Sequence, residues 1–189
     1  MNYAEIKYFD TANGPGVRTS LFVSGCTHRC PDCFNSIAWS FDYGEEFTED
    51  VCKQIYKSCE PTYITGLTIL GGEPFEPENQ GALLPFLAEF RKIYRNKTIW
   101  IFSGYTYEEL TGRVRSRCYT SITEQMLSLA DVLVDGRFEK DKKDLTLRFR
   151  GSSNQRLIDL NKTREAGEIV IWTDKQKHIT KSFGIKYKG

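Results

Sequence analysis

Cys26, Cys30 and Cys33 lie in the run Ser24-Gly25-Cys26-Thr27-His28-Arg29-Cys30-Pro31-Asp32-Cys33-Phe34-Asn35. A tight loop with this spacing can aim three thiolates at one point. Soft thiolates select zinc, Cu(I) or iron–sulfur clusters. A structural zinc site is usually closed by four ligands, whereas a metal centre that does chemistry keeps one position open. Cubane clusters are typically held by Cys thiolates, and three of them leave one iron of a 4Fe–4S cluster free to bind something else. The other reading of the same thiols is a zinc knuckle completed by His28 or a distant Cys. His28 stands between two ligands, where it would strain a compact chelate.

These cysteines need a scaffold, and the apolar pattern supplies one. Residues 3–12, around Ile6, Tyr8 and Phe9, read as a short first strand, and Asn13-Gly14-Pro15-Gly16 follows as a turn. Residues 19–23 form the next strand, with the Cys loop directly after it. Thr48 followed by Glu49 and Asp50 reads as a helix N-cap with acids in the first turn, and that helix runs to about Cys59. Residues 67–70 form a strand ending in Gly71-Gly72-Glu73-Pro74, and 83–94 is a helix with Leu83, Leu84, Leu87 and Phe90 on one side. Residues 98–102 are a strand ending in Ser103-Gly104-Tyr105. Short helices follow at 107–110 and 123–129, and the strand 132–134 ends in Asp135-Gly136-Arg137.

Alternating strands and helices build a parallel α/β sheet or barrel. In such folds the site forms at the C-terminal ends of the strands. The Cys loop, Gly-Gly-Glu-Pro, Ser-Gly-Tyr and Asp-Gly-Arg should therefore converge on one rim. Four βα units are too few for an eight-stranded barrel, so a partial (β/α) barrel or open sheet is expected. After Asp135 the pattern changes. Residues 139–144 read as a charged turn, Leu145, Leu147 and Phe149 alternate like a half-buried strand, 150–156 is a polar loop, and 168–172 is a last strand. The Lys-rich tail is expected to be mobile.

Composition narrows the class. The chain has 189 residues, which favours a single domain, with 40% hydrophobic and 13% aromatic residues to build a core. A formal charge of +1 gives no electrostatic reason to expect nucleic acid or a membrane as partner. No stretch has the apolar length of a signal peptide or a membrane span. Six cysteines, three of them clustered, read as metal chemistry in a reducing compartment, which points to the cytoplasm. Cys52 and Cys59 share a helix face as small hydrophobes, Cys118 is isolated, and the Arg113/Arg115/Arg117 run reads as a solvated loop that could touch an acidic surface.

With Cys26-x3-Cys30-x2-Cys33 and Gly71–Pro74 on the next strand exit, the chain resembles the radical S-adenosylmethionine superfamily. Asn13-Gly14-Pro15-Gly16-Val17-Arg18 resembles a loop of the enzymes that activate glycyl radical enzymes. Val134–Phe138 and Arg150–Gln155 are similar to stretches of the proteins that activate anaerobic (class III) ribonucleotide reductase. The resemblance covers residues 2–157, with 158–189 an extension of the same domain. It implies that Cys26, Cys30 and Cys33 hold a 4Fe–4S cluster whose open iron chelates the methionine part of S-adenosylmethionine. One-electron reduction of the sulfonium, by a donor such as flavodoxin, would give methionine and a 5′-deoxyadenosyl radical. That radical would take a hydrogen from a glycine Cα of the reductase's large subunit. The resemblance also implies that Gly71 and Gly72 pack against the methionine moiety, and that Glu73 and the backbone beside Pro74 fix its ammonium. Backbone at Asp32 to Phe34 would lie against adenine. The superfamily usually has an aromatic residue just before the third Cys, but Asp32 stands there and the ring is at Phe34. Ser103 and Asp135 are assigned as ribose or supporting groups, with Asp135 also readable as a turn former. Asn13, Gly14, Pro15, Gly16, Arg150, Ser152 and Asn154 are assigned to a surface that faces the partner, although 150–156 also reads as an ordinary polar loop.

Replacing Cys26, Cys30 or Cys33 singly by Ala should abolish cluster uptake, while Cys118→Ala should keep it. Iron content and visible absorbance after anaerobic reconstitution check this, and a full cluster in any triplet variant would refute the ligand assignment.

Overall fold

The computed structural model describes residues 1–174. Among them the chain forms β1 (Asn2–Asp10), β2 (Val17–Val23), β3 (Glu45–Glu46), α1 (Glu49–Ser58), β4 (Ile64–Gly71) and α2 (Pro77–Ile93). It continues with β5 (Thr98–Phe102), α3 (Tyr107–Leu110), α4 (Thr123–Leu129), β6 (Val132–Asp135), β7 (Arg156–Asp159) and α5 (Leu160–Ala166). The strands make one sheet in the order β3-β1-β2-β4-β5-β6-β7. The four central strands β2, β4, β5 and β6 pair in parallel, while β1, β3 and β7 join antiparallel at the two sides. The expected α/β class with a mostly parallel sheet is found, and the sheet is open rather than closed. No helix among the described residues is long and apolar enough to cross a membrane.

Period-2 alternation divides the sheet's two faces. Leu21 and Val23 of β2, Leu67 and Ile69 of β4, Ile99 and Ile101 of β5 and Leu133 of β6 point to one side. There they pack with Ile55, Leu83, Leu87, Phe90, Met126 and Leu160 of the helices. Residues of the other parity form a second, aromatic cluster of Trp100, Val132, Val134 and Leu157, with Phe102, Phe149 and Trp172 against it. Helices thus cover one face, and the other is left to the site.

Register aligns the strand ends. Val23 pairs with Gly71, Ile69 with Ile101, and Phe102 with Val134. Continuing those pairings puts Ser24, Gly72, Gly104 and Gly136 just beyond one level. The four exits expected to share a rim do share it.

Local signals explain most elements. The Thr48 hydroxyl accepts from the Val51 N–H, and Glu49 and Asp50 occupy the positive end of α1. Thr106 and Glu109 form a reciprocal capping box that starts α3. Helix α2 begins at Pro77, six positions before the apolar period suggests. Its first turn is polar but buried, because Asn79 and Gln80 donate to the carbonyls of Ser24, Glu73, Phe75 and Cys118.

Two expected strands are absent. Residues 145–149 form turns, with the Leu147 N–H bonded to the Asp144 carbonyl and Phe149 at φ 59°. A Lys143–Ser152 bridge pinches this segment into a strap, and its alternating apolar residues line a cleft instead of pairing in a ladder. Residues 168–172 make only an isolated bridge, Ile171 to Ile158. The strand that does pair with β6 is β7, which starts at Arg156, the last residue of the stretch that reads as a polar loop, and runs on to Asp159. The tail expected to be mobile lies outside the described residues.

Arg18 is fully buried, and among the described residues it has no carboxylate partner. Its guanidinium donates to the Thr68 and Thr98 hydroxyls and to the carbonyls of Leu67 and Thr98, and it sits 5.6 Å from the Trp100 ring centroid. Burial lowers its pKa to about 10, so it stays charged. It also packs against Gly14, where a Cβ would meet its Cδ at 2.8 Å. Arg18→Met would leave several buried oxygens without donors, at about 1–3 kcal/mol each before relaxation. We expect a net loss of about 3 kcal/mol in urea unfolding, and a loss below about 1 kcal/mol would show that water replaces the guanidinium.

Candidate functional site

A cleft of about 490 Å³ opens on the helix-free face at the strand exits, within the usual range of ligand pockets. All four parallel-strand exits contribute to its wall: Cys26, Cys30 and Cys33 after β2, Gly71 to Glu73 after β4, Ser103 and Gly104 after β5, and Gly136 after β6. The strap at 143–151 closes the far side with Leu145, Leu147 and Phe149.

The Cys loop is held from below by backbone. Gly25 N–H donates to the Ala38 carbonyl and Cys26 N–H to the Trp39 carbonyl. Arg29 and Asp32 adopt left-handed backbone, φ 46° and 57°, which turns the loop sharply between its cysteines. Burial, helped by the negative charge of Glu73, pushes the Cys26 thiol up to about 12, and burial also raises Cys30. A cation would have to displace those protons. Among the described residues no three His, Cys, Asp or Glu side chains are gathered at metal-holding distance. The fit to a cluster rests on donor chemistry: three soft sulfurs from one loop on one cleft wall. His28 is engaged within the wall: its Nε2 lies 3.2 Å from Glu73 Oε2, and its ring is tilted against Tyr105 with the centroids 4.2 Å apart.

The paired glycines after β4 have a structural cause. Gly71 takes φ 111°, and a Cβ there would meet Val23 N at 2.7 Å. A Cβ on Gly72 would lie 2.5 Å from the Gly25 carbonyl oxygen. The β4 exit therefore crosses the root of the Cys loop at backbone contact, with Gly72 N–H bonded to the Val23 carbonyl and Glu73 N–H to the Gly25 carbonyl. Pro74 is buried behind the cleft wall.

Other expected site residues fall in several places. Asp32 is exposed on the rim and pairs with Lys140 at 2.8 Å, which lowers its pKa. Phe34 is 83% exposed at the cleft's lip. Ser103 lines the cleft and donates to Glu73. Asp135 is fully buried and outside the lining, where Arg156 and the Tyr107 N–H occupy its carboxylate. Arg156 also grips Glu108 and thereby lowers that carboxyl's pKa.

The residues assigned to face a partner differ in their exposure. Gly14 is buried against Arg18, and Asn13, through its carbonyl and its side chain, is tied to Thr68 and Asp10. Pro15 is half-buried and Gly16 exposed. Ser152 is fully buried, its hydroxyl accepting from the Glu139 N–H. Asn154 donates to the Arg137 carbonyl, and Gln155 bonds Gly136, Gly151 and Ser152. The 150–155 stretch is a staple that welds the strap to the β6 exit, and of it Arg150, Gly151 and Gln155 line the cleft.

Sequence reasoning missed Trp39, Phe102, Phe138 and Gln155 on the cleft wall. Only the apolar period at 145–149 signalled a wall there, and it reads as a strand. Arg117 is likewise no free loop cation: it reaches Glu76 at 2.8 Å and Glu78 at 3.0 Å.

Gly72→Ala should destabilise the fold by about 1–3 kcal/mol and lower iron uptake, whereas Gly81→Ala, with nothing within 4 Å of its Cβ, should be neutral or stabilising. Urea unfolding of the two variants checks this, and equal stability would contradict the backbone crossing.

Comparison with known proteins places this arrangement. A family profile described as "4Fe-4S single cluster domain" matches residues 12–158. The anaerobic ribonucleoside-triphosphate reductase-activating protein of Pasteurella multocida is 43% identical over 157 residues, covering 82% of this chain and 95% of its own length. The proteins of the same name from Escherichia coli K12 and Enterobacteria phage T4 are 39% and 36% identical over 157 residues, covering 82% and 83% of this chain and 96% and 93% of their own lengths. The chain belongs to the family of anaerobic ribonucleoside-triphosphate reductase-activating proteins and carries its 4Fe–4S single cluster domain.

Proposed function

We propose that this protein activates anaerobic ribonucleotide reductase as a radical S-adenosylmethionine enzyme, with the open sheet as the superfamily's partial barrel. The observation that carries the reading is the convergence of three thiols and three further strand exits on one cleft. Cys26, Cys30 and Cys33 would hold the 4Fe–4S cluster, and S-adenosylmethionine would lie across the exits beside it. Together they would supply, on one-electron reduction by a donor such as flavodoxin, a 5′-deoxyadenosyl radical able to take hydrogen from a glycine Cα of the reductase.

The chain's own residues bind, orient and shield. The Gly71–Gly72 backbone forms the floor beside the Cys loop. Ser103 holds Glu73 in place at the next exit. Backbone at 32–34 stands where adenine would lie, and Phe34 can cover it from the lip. The half-buried Leu147 and Phe149 provide an apolar far wall that would limit water's access to a reactive ligand, with Leu145 exposed at its edge. Asp135 acts behind the wall by fixing Arg156 and the start of α3. The reading requires a reducing compartment, and we assign the cytoplasm.

The names of the relatives favour the reductase over another glycyl radical enzyme as partner. A zinc interaction module is disfavoured because the three thiols stand on the wall of an open cleft beside three other strand exits, whereas a structural zinc site is usually closed by four ligands. Anaerobic reconstitution, then mixing with the reductase, reductant and S-adenosylmethionine, should give a glycyl doublet in electron paramagnetic resonance. No doublet with an active reductase would overturn the partner, and a colourless zinc protein without S-adenosylmethionine cleavage would overturn the enzyme reading.

A further inference from the structure

Resting on that reading, we propose that Glu73 does not receive the ligand's ammonium through its carboxylate, but is a positioning residue that sets the Cys loop through His28. Capacity decides the matter. A carboxylate has about four lone-pair sites and no donor. Glu73 is 1% exposed, and four donors reach it. Oε1 accepts from the Phe75 N–H and the Ser103 hydroxyl, each at 2.9 Å. Oε2 accepts from the Gly104 N–H at 2.6 Å and from His28 Nε2 at 3.2 Å. An ammonium could enter only by expelling one of them, which would leave a buried donor unsatisfied.

Those four donors join three elements. Phe75 belongs to the β4 exit, Ser103 and Gly104 to the β5 exit, and His28 to the Cys loop between Cys26 and Cys30. His28 has no freedom to choose another place. Its side chain is 3% exposed, its ring lies against Tyr105, and the absent Cβ of Gly104 is what makes room for it, since a Cβ there would stand 2.5 Å from His28 Nε2. A carboxylate can only accept, so Nε2 carries the hydrogen and donates.

A second glutamate grips the neighbouring residue in the same way. Glu76 Oε1 accepts from both the N–H and the hydroxyl of Thr27, at 2.7 and 2.6 Å. Arg117 holds its other oxygen at 2.8 Å. Asn79, three positions further on, donates to the Ser24 carbonyl. Glu73, Glu76 and Asn79 thus clamp successive points of the loop's first half, Ser24 to His28. The loop's second half, from Cys30 on, has the exposed Asp32–Lys140 pair at the rim. The distance of Cys26 from Cys30 is governed by where His28 is tied.

The test compares His28→Ala, His28→Gln and Glu73→Gln after anaerobic reconstitution. The readouts are the rate of iron loss to a chelator, the spectrum of the reduced cluster by electron paramagnetic resonance, and equilibrium binding of S-adenosylmethionine per cluster. His28→Ala should lose iron at least fivefold faster and shift or broaden the spectrum, with binding per cluster within twofold of native. His28→Gln retains a donor and should recover most of both. Glu73→Gln, which sets an amide N–H against other donors, should resemble His28→Ala. Native iron retention and spectrum in Glu73→Gln with at least tenfold weaker binding would overturn the proposal in favour of direct ammonium contact. Should Glu73→Gln fail to fold, the His28 pair decides: equal behaviour of Ala and Gln defeats the tie. Failure of the underlying reading looks different, since the native protein itself would then take up no cluster or bind no S-adenosylmethionine.

Discussion

A buried carboxylate is tolerated only where donors surround it, and the exit end of this sheet is arranged around that requirement. Glu73 is at the hub. Meeting its four acceptor sites draws the turn after β4, the turn after β5 and the Cys loop into one bonded unit. Each donor would be an orphan without the carboxylate, and the carboxylate would be uncompensated without them. Such networks are stiff because partial satisfaction is worse than none. The stiffness is useful beside a loop that must present three sulfurs.

Glycine placement follows from the same crowding. Gly71 and Gly72 let β4 cross the root of the Cys loop at backbone contact, and Gly104 leaves space for the His28 ring. None of the three is explained by turn chemistry alone. At the other end of the sheet, Arg18 gathers oxygens of β4 and β5 and seats the Asn13–Gly16 loop. The sheet's helix-free face is therefore polar and bonded at its base, aromatic in the middle around Trp100, and open at the cleft.

Much of this was legible in the chain. Strongly patterned elements, such as β5, α3 and α4, stand where their local signals put them, because period, caps and β-branched runs act over a few residues. The convergence of four strand exits was legible too, since parallel α/β connections are constrained in direction. The 145–157 region was misread for a physical reason. Apolar alternation reports that one side of a segment is covered, not what covers it. At 145–149 the apolar side lines an open cleft, Leu145 staying exposed, and the segment finds no ladder partner. At 156–159 the ladder partner is β6, which ends at Asp135 opposite Arg156, far enough back in sequence to be invisible to a local window.

The sequence by itself determined the donor chemistry: three cysteines at chelating spacing, a glycine pair at the next strand exit, and too few βα units to close a barrel. Residue type and short-range spacing carry that information, and no tertiary contact is needed to read it. Only the tertiary structure decided what Glu73, His28, Asp135 and the 150–155 stretch are engaged with. Each of those side chains can serve a ligand, a partner or a neighbouring turn with equal chemistry. Which one it serves depends on which donors and acceptors the fold brings within about 3 Å, the range of a hydrogen bond.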